Sequence, residues 1–473
     1  FLPLAFALLE TLMETPRVWK AALLGGVMGL LILTSHVQMA YYSYWALGLW
    51  FLYRLFTVWG NGGMALSLRS TLFVVSVALA LGLGLVQLLP SYKFTTAQSV
   101  RSGVARTSYE YATSWSMHPE EVAGMIVPSF QGFQKGIGFE DNYYWGRNPF
   151  KLNSEYNGIL PILFAILAVA MYRSGRTWFF LGLGALALVY ALGADRPLYH
   201  LFYSFVPGVK NFRAPGMIVF LFAFAACTMA SGFLSSFLDE PAGTKKQNCM
   251  RLLYAAGAVI ACALFVTIVA KPLFDLWKSV LYPSIPQDRY DNLVKNIPAF
   301  TRDLWRVAII AAAALAGLWM YRTRRIGSAA LAGLLALAVV VDSTVVDARY
   351  IATIDPATYP VLAQDASVAE LKEKLKTDPD ARALTMLSSH APNYYAMFGI
   401  RSANGAHNNE LKSYEAFRGQ NGLNFLEGWV DLNAGRIDPE GIGRNNFLKV
   451  AGVKYILIPA GEGNIHIAEN TAA

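Results

Sequence analysis

Charge is scarce in this chain. Asp, Glu, Lys and Arg make up 15% of its 473 residues, against 55% hydrophobic ones. A soluble chain carries about a quarter charged residues. One large soluble core is therefore excluded, and the mean hydropathy of +0.38 points to a polytopic membrane protein with a polar appendage. Cysteine is scarcer still, with three residues in all: Cys227, Cys249 and Cys262. Two lie in apolar segments and one in a Lys-rich loop, so no disulfide framework is implied, and the absence of CxxC argues against a structural zinc site. Walker A, GxSxG, HExxH and EF-hand patterns are all missing, which removes the usual P-loop, hydrolase, metalloprotease and calcium-loop classes. The apolar segments hold almost no ionisable residues, and an ion-coupled transporter normally needs them at mid-membrane. No internal repeat or low-complexity stretch occurs. The net charge of +8, from 39 Lys and Arg against 31 Asp and Glu, is what cytoplasmic loops facing anionic lipid produce. With no basic-aromatic stripe beside it, no nucleic-acid partner is expected.

What the chain has in abundance is apolar length. It opens within FLPLAFALL, too short to span about 30 Å of hydrocarbon and read as the end of a spanning helix whose start lies upstream. Nine full spans are expected at Ala21–Met39, Ser43–Trp59, Thr71–Pro90, Tyr156–Tyr172, Trp178–Leu192, Pro215–Leu238, Leu252–Val269, Leu304–Tyr321 and Ile326–Val341. The basic residues between them alternate. Arg17 and Lys20, Arg54 and Arg69, Arg173 and Arg176, Lys245 with Lys246 and Arg251, and Arg322 with Arg324 and Arg325 all fall on one side if every span crosses once. By the positive-inside rule that side is cytoplasmic. The outer side then receives the turn at His36, a long loop 91–155, the loops Gly193–Phe212 and Lys271–Asp303, and the tail. Residues 1–345 form the transmembrane helical domain on this reading. Residues 346–473 form a small extracytoplasmic α/β domain, in which VAELKEKLK reads as an amphipathic helix and KYILIP as a buried strand.

Three outer segments carry residues suited to chemistry. In SHVQMAYYSYW, His36 and Gln38 precede Tyr41 and Tyr42; they form either an aromatic belt with a polar turn or a polar notch at the outer leaflet. The long loop contains Trp115, then MHPEEVAG, where Pro119 starts a short helix carrying Glu120 and Glu121 in its first turn. Those acids either suit the helix dipole or bind ligand hydroxyls, with His118 alongside. The same loop holds Tyr143, Tyr144, Trp145 and Arg147, read either as loop packing or as an aromatic platform for a sugar, whose C–H faces are apolar and whose hydroxyls need partners. In VPGVKNFRAPGM, Lys210 and Arg213 break the positive-inside trend. They serve either as a lipid-headgroup anchor or as a grip on a substrate phosphate. No cofactor is demanded. A divalent metal is left open, with His118, Glu120 and Glu121 as its candidate ligands.

The order of the segments SHVQMAYY, LVQLLPSYKFT, YEYATSWSMHPEEVAGMIVPSFQG, YYWGRNPF, NSEYNG, FVPGVKNFRAPGM, NYYAMFGIRSANGAHNNELKSYEAF and LKVAGVKYILIP resembles the YfhO family of bacterial membrane proteins across nearly the whole chain. The resemblance implies a GT-C-like integral-membrane glycosyltransferase in the bacterial inner membrane. Such an enzyme takes a sugar from a polyprenyl-phosphate donor and gives it to a cell-envelope glycan or lipid acceptor. It implies too that the catalytic acid, an Asp, lies upstream of Phe1. Matching family positions are His36, Gln38, Trp115, Pro119, Glu120, Tyr144, Trp145, Gly146 and Arg213. Two readings from other classes stand beside it: a non-catalytic scaffold or accessory subunit, and a lipid or polysaccharide transporter.

Overall fold

The computed structural model describes residues 1–34, 36–58, 63–100, 108–135, 141–148, 154–195, 198–239, 246–351, 353, 364–386, 393–403, 405, 410–418, 430–431, 436–437, 445–459 and 465–471. The chain divides into two units: residues 1–88 with 105–352, and residues 89–104 with 353–473.

The first unit is a helical bundle built from the apolar runs. Its helices are Leu2–Glu14, Val18–Leu33, Val37–Thr57, Gly63–Lys93, Ile159–Met171, Gly175–Ala191, Phe220–Asp239, Lys246–Ile268, Gln287–Arg322 and Ser328–Asp347, the Gly63–Lys93 helix running on into the second unit. Five helical segments are long and apolar enough to cross a membrane: Leu66–Gln98, Pro215–Asp239, Met250–Ile268, Gln287–Arg322 and Ser328–Asp347. They coincide with five of the nine spans expected, those at Thr71–Pro90, Pro215–Leu238, Leu252–Val269, Leu304–Tyr321 and Ile326–Val341. Val18–Leu33, Ile159–Met171 and Gly175–Ala191 are apolar but shorter. At 1.5 Å per residue the 13 residues of Ile159–Met171 rise only about 20 Å, and they reach further only with the help of flanking aromatic residues. The outer loop expected at Lys271–Asp303 is corrected, because it is largely helical. Ala270–Leu281 forms a separate helix, and the 36-residue helix Gln287–Arg322 begins well before its apolar part. Its polar first turns, QDRYDNLVKN, read as loop by hydropathy alone, yet they bury Leu293 and Asn296.

The alternation of basic residues reappears as a set of contacts. Glu10 near the end of Leu2–Glu14 accepts Arg176 Nη2 at 2.6 Å and lies 3.0 Å from Arg54 Nε. Arg69 Nε donates to the Met13 carbonyl at 2.7 Å. Three basic groups from three separate helices thus converge on one helix C-terminus, where cations also suit the helix dipole. His36, Trp115 and Arg213, expected on the other side, take no part in this cluster.

The second unit holds a three-stranded sheet, Arg382–Thr385 parallel to Val453–Pro459, which pairs antiparallel with Ile465–Glu469. Both faces of the central strand are covered. Tyr455 and Leu457 pack on Val368 and Leu371 of the helix Ala366–Leu375, while Ile456 and Ile458 pack on Phe447 and Leu448. A strand covered on both faces reads as a continuous apolar run rather than an alternating one, and this is why YILI is unbroken. Asp365 caps the helix by accepting Val368 N–H at 3.0 Å. Residues 89–104 also belong to this unit. Val100 N–H donates to the Glu410 carbonyl at 3.0 Å, and Ser99 bridges Leu411.

Candidate functional site

Gln38 organises the first group of candidate residues. It sits in the first turn of Val37–Thr57 and is buried. Its amide donates to Tyr42 Oη at 2.9 Å and to the Arg213 carbonyl at 2.6 Å. Tyr42 lies 3.3 Å, oxygen to oxygen, from Tyr190, a residue the sequence reading passed over because it lies inside an apolar span. Tyr41 donates to the Pro207 carbonyl, and its ring packs 5.1 Å from Phe212. The polar notch is therefore bound to the segment 207–214 on two sides. His36 stands exposed just ahead of the helix.

The partner of that segment is the stretch Ser114–Met117. Ala214 N–H donates to the Ser114 carbonyl at 2.9 Å, and Met117 N–H to the Ala191 carbonyl at 2.8 Å. Two non-glycine residues here adopt the left-handed region, Trp115 at φ 59° and Ala214 at φ 55°. Such conformations cost of order 1–3 kcal/mol each and cluster at sites where surrounding structure holds them. The consequence is specific. The Trp115 ring turns under Arg213, whose guanidinium lies 4.0 Å from the ring centroid and 5.6 Å from that of Tyr111. Arg213 is half-buried, and among the described residues no carboxylate pairs with it. Lys210 is exposed, with its ammonium 5.2 Å from the Tyr203 ring centroid. Gly193 closes the group at φ 47°, in the one backbone region that favours glycine. A Cβ there would collide with the Ser116 hydroxyl, which itself accepts Ala194 N–H at 3.1 Å.

The remaining candidates lie beyond Met117 and are engaged with one another. Glu121 accepts His118 N–H at 2.8 Å, closing a capping box on the helix Pro119–Gly124. Glu120 is fully buried and accepts three bonds from Arg147: backbone N–H at 3.1 Å, Nε at 3.0 Å and Nη2 at 2.8 Å. Arg147 in turn lies 4.9 Å from the Tyr282 ring centroid. This pair is a clasp joining two parts of the long loop. Glu120→Gln is expected to destabilise by about 3 kcal/mol, since it removes the charge of a buried carboxylate that accepts three bonds from Arg147. Thermal unfolding of the detergent-solubilised protein would show it, and an unchanged midpoint would refute the clasp.

The aromatic platform is corrected. Trp145 is wholly buried, its indole N–H donates to the Phe130 carbonyl at 2.7 Å, and its ring packs against Phe130 and Phe274. Tyr144 is buried as well; burial, then the nearby Glu121 and Glu120 carboxylates, push its hydroxyl well above the usual tyrosine range. Neither ring has a face free for a sugar. Among the described residues no group of three His, Cys, Asp or Glu side chains is placed to hold a metal ion.

One buried charge network was missed. Asp303 accepts Arg349 Nη1 at 2.6 Å together with Arg349 Nη2, and Arg306 Nε lies 3.3 Å away. Arg306 also pairs with Asp342, which accepts Tyr156 Oη at 2.7 Å and Ile159 N–H at 3.0 Å. Asp303 and Asp342 are 2% and 1% exposed. The available signal was a lone acid at the margin of each of the last two apolar runs.

Comparison of the chain with known protein families, with curated proteins and with solved structures gave no match in any of the three.

Proposed function

We propose that the chain is a membrane glycosyltransferase of the GT-C kind, moving a sugar from a polyprenyl-phosphate donor to a glycan or lipid acceptor outside the cytoplasm. The bacterial inner membrane is its proposed location, with the second unit on the outer side. The observation that carries this reading is Arg213, a half-buried cation held over Trp115 by two left-handed residues, with no described carboxylate to neutralise it. A fixed guanidinium of this kind suits charge that develops on a departing phosphate, because it costs no reorganisation at the moment of reaction. Lys210 supplies a second positive charge nearby in sequence. Gln38, by holding the Arg213 carbonyl, acts on the guanidinium only through the backbone and is a positioning residue. His36, Trp115 and Tyr111 border the place where donor or acceptor hydroxyls would come.

The test uses the full-length protein in membranes and a polyprenyl-phosphate-linked hexose as donor. Arg213→Ala is expected to cut release of polyprenyl phosphate by about a hundredfold or more, with insertion and abundance unchanged. Turnover like that of the wild type would remove the phosphate role and the proposal with it.

A further inference from the structure

A second cationic cleft lies elsewhere in the helical unit and has no part in the proposed transfer. It is an open cavity of ≈ 420 Å³, walled by Arg302, Asp303 and Arg306 of the helix Gln287–Arg322, by Val345 and Arg349 at the end of Ser328–Asp347 and just beyond it, and by Phe133. We infer that this cleft binds a phosphate group through Arg302, Arg306 and Arg349.

The argument begins with spacing. Arg302, Asp303 and Arg306 are one and four residues apart on a helix, so Arg302 and Arg306 project from the same face. Three guanidinium groups then border one cavity. Two of them are fixed. Arg349 is held by both oxygens of Asp303, and Arg306 bridges Asp303 and Asp342. Asp342 is itself fixed by Tyr156 and the Ile159 amide. Arg302 is different: it is exposed, and among the described residues it has neither an ion pair nor a hydrogen bond. Two carboxylates against three guanidinium groups leave one net positive charge, and it resides on the side chain freest to move. Rigid arginine forks fit tetrahedral and planar oxyanions and make charge-assisted bonds roughly twice as strong as neutral ones.

Position then selects phosphate among the oxyanions. The cleft sits beside an apolar helix surface left open to its surroundings, with Val340 60%, Val341 43% and Val345 43% exposed. Such a surface faces hydrocarbon in a membrane, and the anion at the hydrocarbon border is the lipid phosphate. The volume admits more than a bare ion: at about 30 Å³ per water it equals roughly 14 waters, room for a headgroup. A free phosphate presents the same chemistry, and the experiment separates the two sources.

Two probes are applied to the full-length protein in detergent: phosphatidylglycerol, with retained lipid counted by native mass spectrometry, and inorganic phosphate, followed by equilibrium dialysis. Arg302→Glu is the reporting variant, with Arg302→Gln as a milder second. Because Arg302 supports no described contact, neither change is expected to move the thermal unfolding midpoint. Arg302→Glu is expected to weaken the most tightly retained anion about tenfold or more. A loss confined to phosphatidylglycerol identifies a lipid headgroup as the ligand, and a loss of inorganic phosphate identifies a free anion. Equal retention of both probes by the wild type and the two variants would overturn the inference.

Discussion

Asp303→Ala is expected to be the most damaging single change in the helical unit, costing about 3–5 kcal/mol. Asp303 is 2% exposed and is the only described carboxylate that Arg349 contacts. It shares Arg306 with Asp342. Removing it leaves a guanidinium that is 20% exposed without a described carboxylate beside it. Much of the cost is this stranded charge rather than the lost attraction, and that makes a distinct prediction. The double variant Asp303→Ala with Arg349→Met is expected to recover a large share of the loss, because replacing both members of a buried pair by apolar groups is often close to neutral. Thermal unfolding in detergent, read by tryptophan fluorescence across the double-mutant cycle, measures the coupling. If Asp303→Ala proved as stable as the wild type, the network would be a surface arrangement without structural weight.

Trp145→Ala is the second large effect, about 3–5 kcal/mol for a fully buried tryptophan. The residue has 0% exposure, its ring packs on Phe130 and Phe274, and it shares a buried cluster with Leu293 and Phe300. The variant also deprives the Phe130 carbonyl of its indole donor. The outcome separates two roles for one residue. A packing residue loses stability when truncated, and Trp145→Phe recovers part of it. A sugar-stacking residue would leave stability intact and lose substrate binding. A stable Trp145→Ala protein with impaired transfer would reinstate the platform that the geometry removes.

These two residues also show where sequence reasoning reached and where it stopped. Apolar runs locate the helices because a run of about 20 residues in a bilayer has only one way to satisfy its backbone. Arg213 stood out for a reason of the same kind: topology alone did not explain a cation on that side. Its pairing with Trp115 was not legible, since 98 positions of chain separate them (213 − 115) and two left-handed residues are needed to turn the ring beneath it. Trp145 misled because its neighbours in the chain are polar, so it reads as a surface aromatic. Its packing partners come from Ala270–Leu281 and from the first turns of Gln287–Arg322, a region hydropathy assigns to loop. Asp303 and Asp342 escaped because each lies at the margin of an apolar run, where averaging absorbs a single charge. In the second unit, the run YILI announced a buried strand directly. The participation of residues 89–104 did not show, because their bonds to Glu410 and Leu411 are made by backbone groups that every residue carries.

That last feature governs the order in which the protein can be completed. Ser99 and Val100 leave the ribosome about 310 residues before Glu410 and Leu411, the residues they pair with (410 − 100). At 5–20 residues per second, synthesis of that interval takes roughly 15–60 s. Throughout it, one edge of the second unit exists without the rest, while the four later membrane-length helices, from Pro215–Asp239 to Ser328–Asp347, are made. A fragment cut at residue 353 would lack that edge entirely. The second unit therefore cannot close until its segments near residue 410 have been made, however early its first strand of chain is available.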